Sequence, residues 1–324
     1  MRRIFCTQLT PDPAHNIELL DVASPRPRDA EVLIHVLARP INPADLLLLT
    51  GRHVYTPALP APVGIEGAGV VIEAGAGAGV AVGTRVALPF GGTWTEQLTL
   101  PADVVVPLPD DLPLEQGAML CVNPMTAAGL LEGLREGDHV LLNAATSALG
   151  RMTLALGARR GLRMVAAARR LDEADALRAA GACAVLRDDD DLPRALRAAV
   201  GDVPVRRALD AVAGQATARL FECVGEGGEL LVYGLLSDNH ALLPAAQLVF
   251  RDVTVRGYSR LRSYAALPPA RRQALGAEVV EAMRGGLLTS AVEARYPLAE
   301  AAAALRHHAR PDRRGKVLLT SEGP

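Results

Sequence analysis

With 324 residues, half of them hydrophobic and 22% charged, the chain is longer than one hydrophobic core usually serves, so two domains are expected and wholesale disorder is excluded. A formal net charge of -2 gives no compositional case for a nucleic-acid partner. The start of the chain carries Arg2 and Arg3 without the apolar core and cleavage site of a signal peptide, and no uncharged apolar run has the length of a membrane span, so a soluble cytoplasmic protein is expected.

The first residues, 1–10, read as a short strand. Up to about residue 118 the pattern is short strands between Pro and Gly breakers, at 31–37, 69–74, 85–89 and 104–107, which predicts a compact, mostly β domain. Residues 115–134 are richer in Ala and Leu and fit helices. From 139 a regular alternation begins: strand 139–144, helix 149–160 with Leu149, Met152 and Leu156 on one stripe, and strand 163–168. Helices at 171–180, 191–200 and 217–224 and strands at 184–186, 206–211 and 229–234 continue it. Such a beat implies right-handed βαβ crossovers and a doubly wound parallel sheet. The tail holds a helix at 269–284, a strand near 292–296, a helix at 299–309 and a strand at 316–320. It is expected to rejoin the first domain, giving domains of 1–118 with 260–324, and 119–259, with a cleft between them. Cys6, Cys121, Cys183 and Cys223 are isolated from one another and read as buried or inert thiols.

The turn after the first strand of the alternating region runs Asn143-Ala144-Ala145-Thr146-Ser147-Ala148-Leu149-Gly150. Small residues here let backbone amides approach a pyrophosphate, and the following helix offers its positive end. The motif is not a strict GxGxxG; its place at the opening of a βαβ run is what makes it a candidate dinucleotide site. The second strand ends Ala167-Ala168-Arg169-Arg170, without the carboxylate that usually meets a ribose 2′-hydroxyl. Two guanidinium groups suit a 2′-phosphate, so NADPH is the expected cofactor, against the plainer reading of a solvated arginine pair.

Three stretches carry a resemblance: Ile41-Asn42-Pro43-Ala44-Asp45, Pro62-Val63-Gly64-Ile65-Glu66-Gly67-Ala68-Gly69 and Arg314-Gly315-Lys316-Val317. The chain resembles the medium-chain dehydrogenase/reductase superfamily along its whole length, which implies a Rossmann domain plus a GroES-like catalytic domain. Finer similarity, to mitochondrial-type trans-2-enoyl-thioester reductases, rests on Gly92-Thr93-Trp94-Thr95-Glu96, on Cys121-Val122-Asn123-Pro124-Met125-Thr126-Ala127, on the turn at 143–150 and on residues 249–257. In the superfamily's alcohol dehydrogenases a Cys stands where this chain has Asn42 and a His where it has Ile65, and their four-cysteine lobe is missing here, so a zinc-independent site is implied.

The resemblance implies NADPH-dependent reduction of an activated carbon–carbon double bond, that of a 2-enoyl thioester, with hydride to the β-carbon and a proton to the α-carbon. Quinone or alkenal reduction of the zeta-crystallin type is the alternative. A nucleotide-binding protein without turnover is a third, because His53 stands where the similar reductases have Tyr and Ala148 where the relatives have glycine. The proton donor of the similar reductases is a Tyr at the position of His53; Tyr55 lies two residues on, and either side chain is a candidate if the segment is extended. Asn42 and Asp45 are candidates for holding the site's polar groups, with loop capping the simpler role for Asp45. Asn123 and Thr126 are expected beside the nicotinamide, or else as ordinary helix caps. Tyr233, Gly234 and Lys316 complete the cofactor-binding candidates. Residues 252–257 resemble the strand that joins two copies of such enzymes, implying a homodimer.

Overall fold

The computed structural model describes residues 1–53, 55–237 and 240–321. Two compact units emerge, Met1–Val122 with the tail from Thr289, and Asn123–Leu288.

In the first unit β1 (Arg2–Cys6) pairs antiparallel with β2 (Ile17–Asp21). β3 (Glu31–Pro40) leads into helix α1 (Pro43–Leu49), where Pro43 opens the helix and its missing N–H costs nothing. Then come β4 (Ala61–Pro62), β5 (Gly67–Ala74), β6 (Arg85–Leu88), β7 (Gln97–Pro101), β8 (Val106–Pro107) and α2 (Leu114–Gly117). β2-β1-β4 form one sheet, while β3, β5, β6, β7 and β8 share a larger one. Val32, Ile34 and Val36 alternate along β3 into a core with Val71, Val86, Leu88, Leu98 and Leu100, the period of two that a one-faced sheet demands. Gly64 has φ +106, and a Cβ there would lie 2.4 Å from Trp94, so the loop carrying Ile65 and Glu66 needs glycine at that point.

The second unit opens with α3 (Asn123–Leu130) and alternates β9 (His139–Leu142), α4 (Ala148–Arg159), β10 (Arg163–Ala168), α5 (Ala174–Ala179), β11 (Ala182–Arg187), α6 (Leu192–Val200), β12 (Val205–Asp210), α7 (Gln215–Cys223), β13 (Val224–Val232), α8 (Ala245–Phe250) and β14 (Thr254–Gly257). All pairings are parallel, in the order β11-β10-β9-β12-β13-β14, which is a Rossmann sheet with its switch point between β9 and β12. The near-continuous apolar runs Val140-Leu141-Leu142 and Met164–Ala168 are buried because helices cover both faces.

The chain does not leave this unit at residue 260. Helices α9 (Arg260–Ala265) and α10 (Pro269–Arg284) pack against α3, and the return comes only at 289. The reason is a stripe of Leu275, Val279, Ala282 and Met283 that must be buried, flanked by ion pairs Arg160–Glu278 and Arg271–Glu132, each at 2.8 Å. The tail then supplies β15 (Val292–Pro297), α11 (Ala301–His308) and β16 (Lys316–Thr320), extending the larger sheet of the first unit in the order β15-β16-β3. The expected helical stretch 115–134 is broken between α2 and α3, and β13 starts at Val224, so Tyr233 and Gly234 lie just past its end. Cys6, Cys121 and Cys223 are buried and Cys183 is exposed; desolvation raises the Cys183 thiol, which keeps it protonated.

Candidate active site

Three segments of the first unit bring together Asn42, Asp45, Glu66 and Lys316, all buried. Lys316 Nζ donates to Asn42 Oδ1 at 2.7 Å, and Asn42 Nδ2 donates to Glu66 Oε1 at 2.9 Å. Glu66 Oε2 accepts from the Val122 N–H at 2.8 Å, and the Thr93 hydroxyl donates to the Glu66 carbonyl at 2.7 Å. The Asn42 N–H donates to Asp45 Oδ2 at 2.8 Å while the Asp45 N–H returns to the Asn42 carbonyl at 3.0 Å, so Asp45 does cap the start of α1. Burial pushes the Asp45 carboxyl up to about 7, the Asn42 N–H pulling it down and the nearby Glu66 pushing it further up. Burial lowers the Lys316 ammonium, with Glu66 and Asp45 holding it up. Lys316 thus sits beside Asn42 in the first unit; within that unit its ammonium is engaged by a side chain of the protein.

This donor set does not suit zinc. The oxygen of Asn42 already faces an ammonium, Ile65 offers no ligand atom, and no thiolate or imidazole joins the cluster. Among the described residues no group of three or more His, Cys, Asp and Glu is placed to hold a metal ion.

Residues 51–53 do not have the extended geometry under which His53 and Tyr55 would share a side. Gly51 has φ +66, and the N–H groups of Arg52 and His53 both return to the Leu47 carbonyl, at 2.9 and 3.1 Å, so the segment begins as a turn closing α1. The same-side argument for His53 and Tyr55 therefore does not apply, and Val54 between them lies outside the described residues. His53 Nδ1 accepts the Tyr55 N–H at 3.0 Å. That bond places the proton of a neutral His53 on Nε2. Tyr55 is 65% exposed.

In the second unit the switch point is tied by a buried carboxylate that the sequence reading missed. Asp210, ending β12, accepts Asn143 Nδ2 at 2.6 Å, the Val212 and Ala213 N–H groups at 2.9 and 3.1 Å, and the Thr217 hydroxyl at 2.6 Å. Asn143 Oδ1 in turn accepts the Ala211 N–H at 2.8 Å. Asn143 thus spends its amide joining the turns after β9 and β12. The available signal was an Asp closing a buried strand with Thr seven residues on, which spacing alone does not distinguish from a solvated turn. Ser147 Oγ accepts the Gly150 N–H at 3.0 Å, capping α4, and Thr146 and Ala148 are exposed at that helix start with no acidic residue in its first turn. A Cβ at Gly150 would lie 2.6 Å from the Ala144 carbonyl, so the helix meets the turn at glycine distance.

Arg169 and Arg170 follow β10 and are exposed, and Arg170 makes only a 3.6 Å ion pair with Asp172. The Tyr233 and Gly234 N–H groups return to the Asp210 carbonyl at 2.8 and 3.3 Å, and burial, with Asp210 nearby, raises the Tyr233 phenol. Asn123 begins α3 and Thr126 is buried in its first turn; neither side chain makes a hydrogen bond to a described residue, so capping does not occupy them. A turn of small residues leading into a helix of positive end, with cationic rather than acidic side chains at the next strand end, fits a dinucleotide.

Family models place an alcohol dehydrogenase GroES-like domain at residues 28–110 and a zinc-binding dehydrogenase domain at 148–275. The mitochondrial enoyl-[acyl-carrier-protein] reductase of Bos taurus is 31% identical over 320 residues, covering 95% of this chain and 86% of that protein. The chain belongs to the medium-chain dehydrogenase/reductase superfamily. Within it, a mycobacterial quinone oxidoreductase superposes with a TM-score of 0.87 at 25% identity, covering 99% of this chain and 100% of that one. A mycobacterial protein solved in complex with NADPH superposes at 0.86 and 26% identity, covering 99% and 100%. This superfamily member is therefore an oxidoreductase of the NAD(P)-dependent kind, on the branch of the enoyl reductases and quinone oxidoreductases. No described helix is long and apolar enough to cross a membrane.

Proposed function

We propose that the chain reduces the activated double bond of a 2-enoyl thioester with NADPH. The observation that carries this reading is the buried, hydrogen-bonding set around Asn42, where a metal-dependent relative needs a ligand, in a chain 31% identical to an enoyl reductase. Conjugate reduction suits such a site, since negative charge spreads into a thioester enolate that fixed donors stabilise. When bound, the cofactor supplies the hydride equivalent. Asn42 and the capped start of α1 hold the polar environment. Tyr55 gives its phenolic proton to the α-carbon, so one hydride and one proton saturate the bond. Tyr55 is preferred because its phenol carries a proton to give, whereas His53 Nδ1 is already used as an acceptor for the Tyr55 amide.

Arg169 and Arg170 meet the 2′-phosphate that distinguishes NADPH from NADH. Asn123, Thr126, Thr146, Ser147, Ala148, Leu149, Gly150, Tyr233 and Gly234 line its path, with Asn143 holding the turn in shape. A homodimer forms through β14, an edge strand beside which Val249 and Phe250 are 70% and 83% exposed, too much apolar surface to leave in water. The compartment we assign is the cytoplasm. The Bos taurus relative is a mitochondrial enzyme, and cell fractionation tests the difference.

Turnover decides the substrate. Steady-state oxidation of NADPH with crotonyl thioester should exceed that with a small quinone by at least tenfold in kcat/KM. The reverse order selects the quinone reading, which the 25% identical mycobacterial quinone oxidoreductase favours. Absence of turnover with both, alongside tight NADPH binding, selects the nucleotide-binding reading suggested by His53 and Ala148.

A further inference from the structure

The side-chain amide of Asn42 stands between two groups that each permit one orientation only. On its oxygen side is Lys316 Nζ, which donates and never accepts; on its nitrogen side is a Glu66 carboxylate oxygen, which accepts and does not donate. An exposed Asn interchanges oxygen and nitrogen at little cost. Here a flip would set carbonyl oxygen against carboxylate and NH2 against ammonium, two repulsive contacts between buried groups. One N–H of the amide is used by Glu66, and the other has no acceptor among the described residues.

Lys316 is itself set by its backbone. Its N–H donates to the Ala291 carbonyl at 2.8 Å, and the preceding N–H groups of Arg314 and Gly315 donate to Glu293 Oε2 at 2.5 and 2.8 Å. A Cβ on Gly315 would lie 2.9 Å from both the Ala291 carbonyl and the Glu293 nitrogen, so only glycine lets the chain approach this closely. The other oxygen of Glu293 meets His307 Nε2 at 2.8 Å, and His307 Nδ1 meets the Tyr296 hydroxyl at 2.9 Å. Hydrogen bonds and two peptide units thus connect β15, α11 and the loop before β16 to the one buried ammonium that touches Asn42.

We propose that Lys316 is a positioning residue: it locks the Asn42 amide with its second N–H directed to the thioester oxygen of the substrate, and the Glu293 clamp on residues 314–315 holds Lys316 in register. The inference rests on the enoyl-reduction reading for the identity of that oxygen, but the lock on Asn42 does not. Lys316 does not touch substrate; it acts through Asn42. Its loss therefore lowers kcat with little change in the KM for NADPH, and its effect vanishes once Asn42 is gone.

The experiment is a double-mutant cycle of Lys316→Met and Asn42→Ala in the full chain, with Lys316→Arg as the conservative variant. Turnover of crotonyl thioester is read together with the 15N–1H signals of the Asn42 side-chain amide in selectively labelled protein. The expected result is a loss of kcat of about tenfold or more in Lys316→Met, partial recovery in Lys316→Arg, and a double variant no slower than Asn42→Ala. In the spectrum, one Asn42 amide proton is shifted downfield by Glu66 in the wild type and stays so in Lys316→Met, while the amide nitrogen and the second proton move upfield because the carbonyl oxygen has lost its ammonium partner. Multiplicative losses in the double variant, or an unchanged Asn42 signal in Lys316→Met, overturn the proposal. Where Lys316→Met fails to fold because Glu66 loses its counter-charge, the cycle is repeated in the Glu66→Gln background and read by kcat alone: a loss on adding Lys316→Met that vanishes with Asn42→Ala supports the proposal, and multiplicative losses overturn it. The amide signal needs no substrate, so an enzyme inactive on enoyl thioesters refutes the reaction while leaving the lock to be judged on the spectrum.

Discussion

Replacing Asp45 by Asn should change how stability depends on pH. The carboxyl is fully buried, with Oδ2 accepting from the Asn42 N–H and Oδ1 without a hydrogen-bond partner; Glu66 and Lys316 are the charged side chains that act on it. Its folded pKa of about 7 lies above the ordinary 3.8. Below the unfolded value both states carry the proton and no term arises. Between 3.8 and about 7 the unfolded chain ionises while the folded one keeps its proton, so the stabilisation present in acid is lost as pH rises and is gone once pH passes the folded pKa. A shift of about three units corresponds to roughly 4 kcal/mol, at about 1.4 kcal/mol per pH unit. Asn is neutral at every pH, keeps an oxygen for the Asn42 N–H and lacks this slope. Guanidinium unfolding of wild type and Asp45→Asn at pH 5, 6, 7 and 8 should give stabilities that separate toward alkaline pH, with the variant gaining on the wild type by a few kcal/mol between pH 5 and 8. A constant difference across that range would refute the reasoning, because it would mean that Asp45 is ionised in the folded protein throughout.

The remaining expectations concern the cofactor and the proton. Arg169→Ala with Arg170→Ala should weaken NADPH binding by ~1–3 kcal/mol while sparing NADH, measured by fluorescence titration; equal binding of both cofactors by the wild type would remove the basis for this. Asp210→Ala leaves Asn143, Thr217 and two backbone N–H groups without their acceptor, so a loss of at least ~3 kcal/mol in unfolding free energy is expected, and a change under 1 kcal/mol would show that water replaces the carboxylate. Tyr55→Phe should lower kcat by about 100-fold or more and His53→Phe by less; the opposite ranking assigns the proton to the imidazole. Light scattering at micromolar concentration should show a dimer, and Phe250→Asp should yield monomer; a wild type that is already monomeric contradicts the pairing through β14.

Much of the fold was legible because its signals are local. The alternation from 139 to 232 follows from buried apolar runs of strand length separated by helical stripes, and β10 and β16 fall where they were expected. The position of α10 was not legible. Its stripe of Leu275, Val279, Ala282 and Met283 shows that the helix must pack, but not against which unit, since that choice depends on Glu132 and Arg160, each more than a hundred residues away. At the site, Asn42 and Asp45 were found through a motif, and the capping role weighed for Asp45 is the one observed. The meeting of Asn42 with Lys316, 274 residues further along, follows only from the pairing of β16 with β3. The turn at 51–53 was missed because Leu47 captures two successive amides, a tertiary detail of how α1 ends.

The knot around Asp210 has a consequence for how a ligand meets this crevice. Because Asn143, Val212, Ala213 and Thr217 are already satisfied by the protein, the strand ends on both sides of the switch point are ordered before anything binds. Association then carries little of the entropic cost of freezing loops, and the contacts a dinucleotide makes appear as affinity instead of being consumed in folding the site. The amides of Val212 and Ala213 should therefore exchange slowly in the free protein as in the bound one, as expected of a rigid receptor whose selectivity resides in the exposed side chains at its rim.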